Sequence, residues 1–394
     1  MREVVIVSAA RTAIGGFQGT LSDISATTLG AYAIKEVIRR ADISPEDVEE
    51  VIMGNVLPAG LGQNPARQAL LKAGLGHDVE ALTVNKVCGS GLKSVMLAAQ
   101  AIMVGDADVV VAGGMENMNM APYYLEKARS GYRMGNAKMI DGMIHDGLWC
   151  HVSDFHMGVS AELCAEKYGV TREAQDAYAL TSYKRALAAQ EAGDFDEEIF
   201  PVEIPRKKSA PLLFTKDEVV RPTSLEALAK LRPSFKNDGT VTAGNASKIS
   251  DGAAAVVLMS RERADKMGIE PIARVGAQCS VAIDPKYVLV APIYGIPKLL
   301  KKAGLAVEDI DLFEINEAFS ASSVAINVAL NLDPAKVNIR GGAVALGHPI
   351  GASGARVLVT LLHEMKATNA ARGLASLCLG GGEAVCLLVE RDRR

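Results

Sequence analysis

Two stretches decide how this chain is read. One is Ser90-Gly-Leu-Lys-Ser-Val-Met-Leu97 with the run Asp108-Val-Val-Val-Ala-Gly-Gly-Met-Glu116 after it; the other is Ser353-Gly-Ala-Arg-Val-Leu-Val-Thr360 with Leu374-Ala-Ser-Leu-Cys-Leu-Gly-Gly-Gly-Glu383 after it. Each opens on Ser-Gly, runs on as an amphipathic helix, and passes into an apolar strand that ends in glycines. The offset is 263 residues at the start, with a few more before the second strand. That period is too long for a solenoid and predicts a duplicated domain. Two similar halves would set two helix N-termini and two glycine turns around a shared centre, where active sites are favoured.

Outward from these stretches lie the residues able to do chemistry. Cys88 precedes the first helix in Asn85-Lys-Val-Cys-Gly-Ser-Gly91, and Cys378 opens Cys378-Leu-Gly-Gly-Gly382. His348 stands in Gly341-Gly-Ala-Val-Ala-Leu-Gly-His-Pro-Ile-Gly-Ala-Ser-Gly354. Their separation along the chain says nothing against contact. A cysteine at a helix start is expected to have a lowered pKa, because the helix N-terminus favours a thiolate. A free cysteine is more often a buried small hydrophobe; two cysteines and a histidine in matching glycine-rich settings favour a nucleophilic thiol, a proton-moving thiol and an imidazole between them.

Short β-rich runs, Val4 to Val7, Val51 to Met53, Val109 to Ala112 and Ala254 to Met259, alternate with helical patterns over 26–41, 92–105, 172–192 and 353–366. This alternation predicts layered α/β structure. Residues 120 to about 249 change character, with scattered Tyr, Arg, Met and His, the basic run Arg206-Lys-Lys208, and Pro222 and Pro233. They read as an inserted loop region that rejoins the core at Gly239-Thr-Val-Thr-Ala-Gly-Asn-Ala-Ser247.

A chain of 394 residues with 49% hydrophobic and 22% charged residues suits a well-packed protein of two or three domains. A net charge of −4, one Trp and 5% aromatics leave neither a basic footprint nor stacking platforms for nucleic acid. Apolar runs break before the ~20 residues of a membrane span. The N-terminus enters a strand without the pattern of a signal peptide, and Glu390-Arg-Asp-Arg-Arg394 is not a peroxisomal address. Six irregularly placed cysteines read as reduced thiols, so a cytoplasmic location is expected.

Several motifs in order along the whole chain resemble the thiolase family, and more narrowly its bacterial acetyl-CoA acetyltransferase branch. They are Arg11 to Gly15, Gly62 to Gln68, Asn85 to Lys93, Gly113 to Glu116, His156 to Gly158, Leu231 to Pro233, Thr242 to Ser247, Asn316 to Phe319, Gly341 to Arg356 and Cys378 to Gly382. The resemblance implies a thiolase-like fold of two similar α/β domains, over 1–119 with 250–270 and over 271–394, plus a loop domain over 120–249. It implies a homotetramer, a dimer of dimers, and reversible Claisen condensation of two acetyl-CoA to acetoacetyl-CoA and CoA. Cys88 would carry the acetyl group and His348 would take its proton. Cys378 would remove the α-proton of the second acetyl-CoA. One oxyanion pocket would use His348 with a water held by Asn316, and the other the backbone N–H groups of Cys88 and Gly380.

For coenzyme A, which is substrate and product and no resident cofactor, the resemblance points to Leu148, His156, Met157, Phe235, Ala243, Ser247 and Phe319, with Arg221 toward the nucleotide end. The chain departs from the family pattern at Lys248, Val288-Leu289, Glu383-Ala384 and Cys150-His151, none of them a catalytic position. His145, His151, His156 and Cys150 have no standard zinc spacing, and no metal is expected. Cys164, Cys279 and Cys386 are expected to be inert packing. The rival readings are a degradative 3-ketoacyl-CoA thiolase of broader chain length, a ketoacyl synthase, which would not normally carry a second catalytic cysteine, and a non-catalytic acyl-CoA carrier.

Overall fold

The computed structural model describes residues 1–206 and 210–391, so Lys207 and Lys208 of the basic run and the terminal Asp392 to Arg394 lie outside the described residues. Its main strands are β1 (Val4–Thr12), β2 (Glu50–Gly54), β3 (Glu80–Val84), β4 (Val109–Asn117), β5 (Ser250–Ser260), β6 (Ala273–Ala282), β7 (Leu312–Ile315), β8 (Arg372–Leu379) and β9 (Glu383–Glu390). They run side by side in the order β7-β8-β9-β6-β1-β5-β4-β2-β3. The two ends of this path mirror each other. In the first half β2 is parallel to β4, which pairs antiparallel with β5; in the second β7 is parallel to β8, which pairs antiparallel with β9. β1 and β6 meet in the middle. The duplication read from the sequence is therefore present in the strand order.

Strand periodicity builds the layers. On β4, Val109, Val111 and Met115 face one core while Val110 and Ala112 face another; on β5, Ala255, Val257 and Met259 join the first and Ala254, Val256 and Leu258 the second. On β9, Val385, Leu387 and Val389 turn to that second core and Cys386 and Leu388 to a third. Strands buried on both faces read as near-continuous apolar runs, which is why the sequence offers little alternation there. Helix α1 (Ala26–Ala41) covers the outer face of the first half, and α5 (Pro292–Ala303) that of the second. In the core shared by the two halves of this path lie α2 (Ser90–Val104) and α7 (Ser353–Thr368), the two helices of the sequence echo.

Their shared Ser-Gly opening has a packing reason. A Cβ added at Gly91 would stand 2.7 Å from Ala355 N, and one added at Gly354 would meet Leu92 N. The two helices cross backbone to backbone at their first turns, and only glycine permits so close an approach. That crossing brings the two N-termini together. It also explains the apolar composition of the first helix: over Val87–Val104 it matches a membrane span in length and in mean hydropathy, 1.5, yet it lies in the central core.

The stretch over 120–249 carries α3 (Met157–Tyr168), α4 (Arg172–Ala192) and short two-stranded pieces. Its return is pinned by Arg11, buried on β1, which holds Glu198 at 2.5 Å and Asp217 at 2.7 and 3.0 Å. Asp217 also accepts from Ile14 N at 2.8 Å. This anchor lays Glu218, Val219 and Arg221 along one side of a large cavity. α6 (Ser320–Ala329) closes behind the loop that carries Asn316.

Candidate active site

Cys88 sits on a sharp turn between β3 and α2. Gly89 N donates to Lys86 O at 3.1 Å and Ser90 N to Val87 O at 3.0 Å. Ser90 Oγ accepts from Lys86 N at 2.9 Å and donates to Val87 O at 2.6 Å. Val87 is forced to φ 45°, a left-handed conformation that costs a β-branched residue on the order of 1–3 kcal/mol. The strain swings the next side chain, Cys88, into the cavity.

The expected low thiol pKa is not found. Burial pushes the Cys88 thiol up to about 11, against the N–H groups of Gly380 and of Cys88 itself, which pull it down. The helix start acts through about one turn of backbone, whereas desolvation acts through everything packed around the sulfur. Leu379 and Val385 already crowd the adjacent Gly89. In the resting protein Cys88 is a neutral thiol.

His348 is buried beside it. Its Nδ1 lies 2.6 Å from Ser353 Oγ, and Ser353 Oγ donates its one proton to Pro349 O at 2.9 Å. Nδ1 therefore carries the imidazole hydrogen, and Nε2 presents a lone pair. Burial, and then the charge of Arg356, draw the imidazole down to about 3, so it is neutral in the free protein, and the same two effects oppose its protonation until a neighbouring negative charge offsets them. Asn316 Nδ2 lies 3.5 Å from Nε2, and Asn316 Oδ1 is buried without a hydrogen-bond partner. The histidine turn requires glycine before it: Gly347 has φ 111°, and a Cβ there would stand 2.9 Å from Ile14 Cγ2.

Cys378 is the last residue but one of β8, buried, with its pKa raised by desolvation first and then by the nearby Cys88 and Cys164. The chain then turns through Gly381 and Gly382, at φ 90° and 89°. A Cβ on Gly380 would press on Val87 Cγ1 at 3.1 Å, which ties the two cysteine turns together.

All of these groups meet one cavity of about 650 Å³. Cys88, His348, Cys378 and Gly380 form its floor, and Asn316 stands behind His348. Leu148, Met157, Phe235 and Phe319 give it apolar walls, with His156 stacked on Phe235 at 4.8 Å between centroids. Ala243, Ser247 and Arg221 lie on the same wall. Of the catalytic and coenzyme A residues expected from the sequence, Asn316 alone is not in the cavity lining; it reaches the cavity through His348. Val288 and Leu289 also line it.

Sequence reasoning missed the supports. Ser353, which sets the histidine tautomer, stood in the echo motif five residues beyond His348, but its role needs the turn geometry. Glu116 accepts from Val56 N at 2.9 Å, Leu57 N at 3.2 Å and Gly351 N at 2.9 Å, joining the first half to the histidine loop. Desolvation raises it to about 7. Glu317 likewise braces the Asn316 loop through Ser182 Oγ at 2.6 Å and Val344 N at 3.1 Å.

The histidines of the insertion are otherwise engaged. His145 Nδ1 meets Asp146 at 2.6 Å, His151 Nε2 meets His145 O at 2.9 Å, and His156 Nδ1 accepts from Gly158 N at 3.0 Å. No group of three or more His, Cys, Asp or Glu able to hold a metal occurs among the described residues. Cys279 and Cys386 are cross-strand partners on β6 and β9; they and Cys164 are buried and do not line the cavity, although Cys164 lies near enough to act on Cys378.

Comparison with known proteins gives a concordant result. The thiolase N-terminal domain family matches residues 4–262, and the thiolase C-terminal domain family matches 269–391. An acetyl-CoA acetyltransferase of Pseudomonas aeruginosa is 54% identical over 393 residues, covering 100% of both chains. One of Cupriavidus necator is 55% identical over 392 residues, covering 99% of this chain and 100% of the relative. A probable acetyl-CoA acyltransferase of Staphylococcus aureus is 51% identical over 392 residues, with 99% and 100% covered.

Proposed function

The chain belongs to the thiolase family, and we propose that it works as an acetyl-CoA C-acetyltransferase in which Cys88 carries the acetyl group, His348 takes the Cys88 proton and Cys378 moves the α-proton. The observation that carries these roles is the meeting of two neutral thiols and a neutral imidazole on the floor of one cavity, each supplied by a glycine turn.

The proton inventory fits a balanced cycle. As Cys88 attacks the acetyl carbonyl, His348 Nε2 receives its proton; the departing CoA sulfur takes a proton from Cys378. Acetyl-Cys88, CoA, an imidazolium and a Cys378 thiolate result. That thiolate removes the α-proton of a second acetyl-CoA, and the enolate attacks acetyl-Cys88. Acetoacetyl-CoA leaves, and the released Cys88 thiolate recovers its proton from His348. The covalent intermediate holds the acceptor at high effective concentration for the enolate. The N–H groups of Cys88 and Gly380, which both point at the Cys88 sulfur, suit one oxyanion. The unpartnered Asn316 Oδ1 suits the water that would complete the other.

The apolar walls and the polar residues Ser247 and Arg221 suit pantetheine and the nucleotide of coenzyme A. Residues 1–119 with 250–270 form the N-terminal domain in this reading, 120–249 the loop domain and 271–394 the C-terminal domain. The assembly is a homotetramer, a dimer of dimers. Two surfaces support it: β3 ends the strand path as an unpaired edge with Leu82 exposed, and Tyr123, Met134, Met139 and Trp149 expose apolar surface on the insertion. A cytoplasmic location agrees with six unpaired cysteines.

The test is thiolysis of acetoacetyl-CoA and condensation of acetyl-CoA, extended over a ladder of acyl lengths, with the iodoacetamide adduct mapped. Activity on the four-carbon substrate, lost as Cys88 is labelled, is expected. Labelling at Cys150 or Cys279 with Cys88 untouched and activity gone would sink the assignment.

A further inference from the structure

The cavity wall carries a cation that the cycle above does not use. Lys248 Nζ donates to Ala243 O at 2.8 Å and to Ala246 O at 2.7 Å, within the turn that lines the cavity. An ammonium has three N–H donors, so the turn engages two of them. Nζ also lies 5.5 Å from the centre of the Tyr183 ring on α4. No carboxylate stands within 4.0 Å of it among the described residues. Glu317, whose charge reaches it, is held by Ser182, Tyr178, Asn338 and Val344. Glu218, on the same wall, is held by Gly16 and Thr20. Arg221 lines the cavity as well, has no carboxylate within 4.0 Å among the described residues, and repels Lys248.

Charges removed from water are normally paired. Two cations of one sign beside a mostly apolar space attract an anion into it. We propose that Lys248 and Arg221 together form an anion-reading end of the cavity, and that the phosphate-bearing part of acyl-CoA supplies the missing partner of the Lys248 ammonium. The inference rests on the acyl-CoA reading above and extends it to a residue outside the reaction.

A consequence is linkage to pH. Burial first, then Arg221, draw Lys248 down to about 7 in the free protein, with Glu317 opposing. A bound anion favours the charged form and raises that pKa, so binding takes up a proton. Affinity is then full below the free-protein value and falls as pH rises through it.

The probes are dephospho-CoA, which lacks the phosphate that itself titrates near ~6, and pantetheine, which has no phosphate. Calorimetric titration of the full chain at about pH 6 and about pH 9 should give a roughly tenfold loss of dephospho-CoA affinity and almost none for pantetheine. Lys248→Met should flatten the dephospho-CoA dependence, and Lys248→Arg should keep tight binding at both pH values. Arg221→Gln should move the midpoint of the fall upward. Three results overturn the proposal. If Lys248→Met keeps the wild-type slope, Lys248 does not read the anion. If it weakens pantetheine as much as dephospho-CoA, the ammonium only holds the turn. If the wild-type protein binds neither probe, the acyl-CoA reading falls with it, whereas the first two results leave that reading standing.

Discussion

Ser90 and Ser353 occupy the same place in the two halves, at the first turn of the two central helices, yet they are used differently. Ser90 ties backbone to backbone, from Lys86 N at 2.9 Å to Val87 O at 2.6 Å, and so holds the strained turn that presents Cys88. Ser353 ties a side chain, accepting from His348 Nδ1 at 2.6 Å while donating to Pro349 O at 2.9 Å. The neighbouring glycines, in contrast, kept one job: Gly91 and Gly354 each let the opposite helix approach. A duplicated scaffold thus retains the residues that fit its halves together, and frees the residues facing the shared centre to differ in chemistry.

The largest way to sharpen this contrast lies in the two thiols. Cys378→Ser should lower condensation by about 10²- to 10⁴-fold, the usual scale of a lost general base. Acetyl exchange between Cys88 and CoA should fall far less, since solvent can protonate the departing CoA sulfur. Equal losses in isotope exchange and condensation would mean that Cys378 is not specifically the α-proton base.

The serine pair itself comes next. Ser353→Ala should cut kcat by roughly 10- to 100-fold and move the pH–rate profile, because the imidazole loses the partner that sets its tautomer. Ser90→Ala should instead lower thermal stability, by about 1–3 kcal/mol for the orphaned Lys86 N–H. Two variants with the same kinetic and melting behaviour would erase the difference between the halves.

A smaller effect is read from the thiol itself. Burial places Cys88 at about 11, above an ordinary thiol, so its thiolate fraction grows with pH across the neutral and mildly alkaline range. Iodoacetamide labelling of the free protein should therefore accelerate about tenfold per pH unit between roughly pH 7 and 9. A rate already flat by neutral pH would restore the low-pKa thiolate that the helix start alone suggests.

The smallest expected change concerns the acyl end. Val288 is buried on the cavity wall beside Leu289. Val288→Met adds volume there and should narrow the range of ketoacyl chains, with a shift in kcat/KM between acetoacetyl-CoA and 3-ketohexanoyl-CoA of about 10-fold, at the low end for one methylene. An unchanged ratio would remove Val288 from acyl selection.

The amino-acid sequence by itself determined the layered α/β class, the duplication and the three glycine turns bearing Cys88, His348 and Cys378, because each is written in local terms. Helical spacing, buried apolar runs and glycines at positive φ depend on near neighbours. The predicted helices over 26–41 and 172–192 match α1 and α4 for the same reason. Only the tertiary structure decided the charge states. The helix start beside Cys88 is visible in the sequence, but the burial that outweighs it comes from a core that Cys88 shares with residues hundreds of positions away, Leu379 and Val385 among them. Lys248 reads as one more surface cation until its carbonyl partners and the neighbouring Arg221 are in place. Ser353 is one serine among many until its hydroxyl donates to Pro349 O and is left able only to accept from His348. Burial and hydrogen-bond direction are properties of what surrounds a group in space, and no local pattern encodes them.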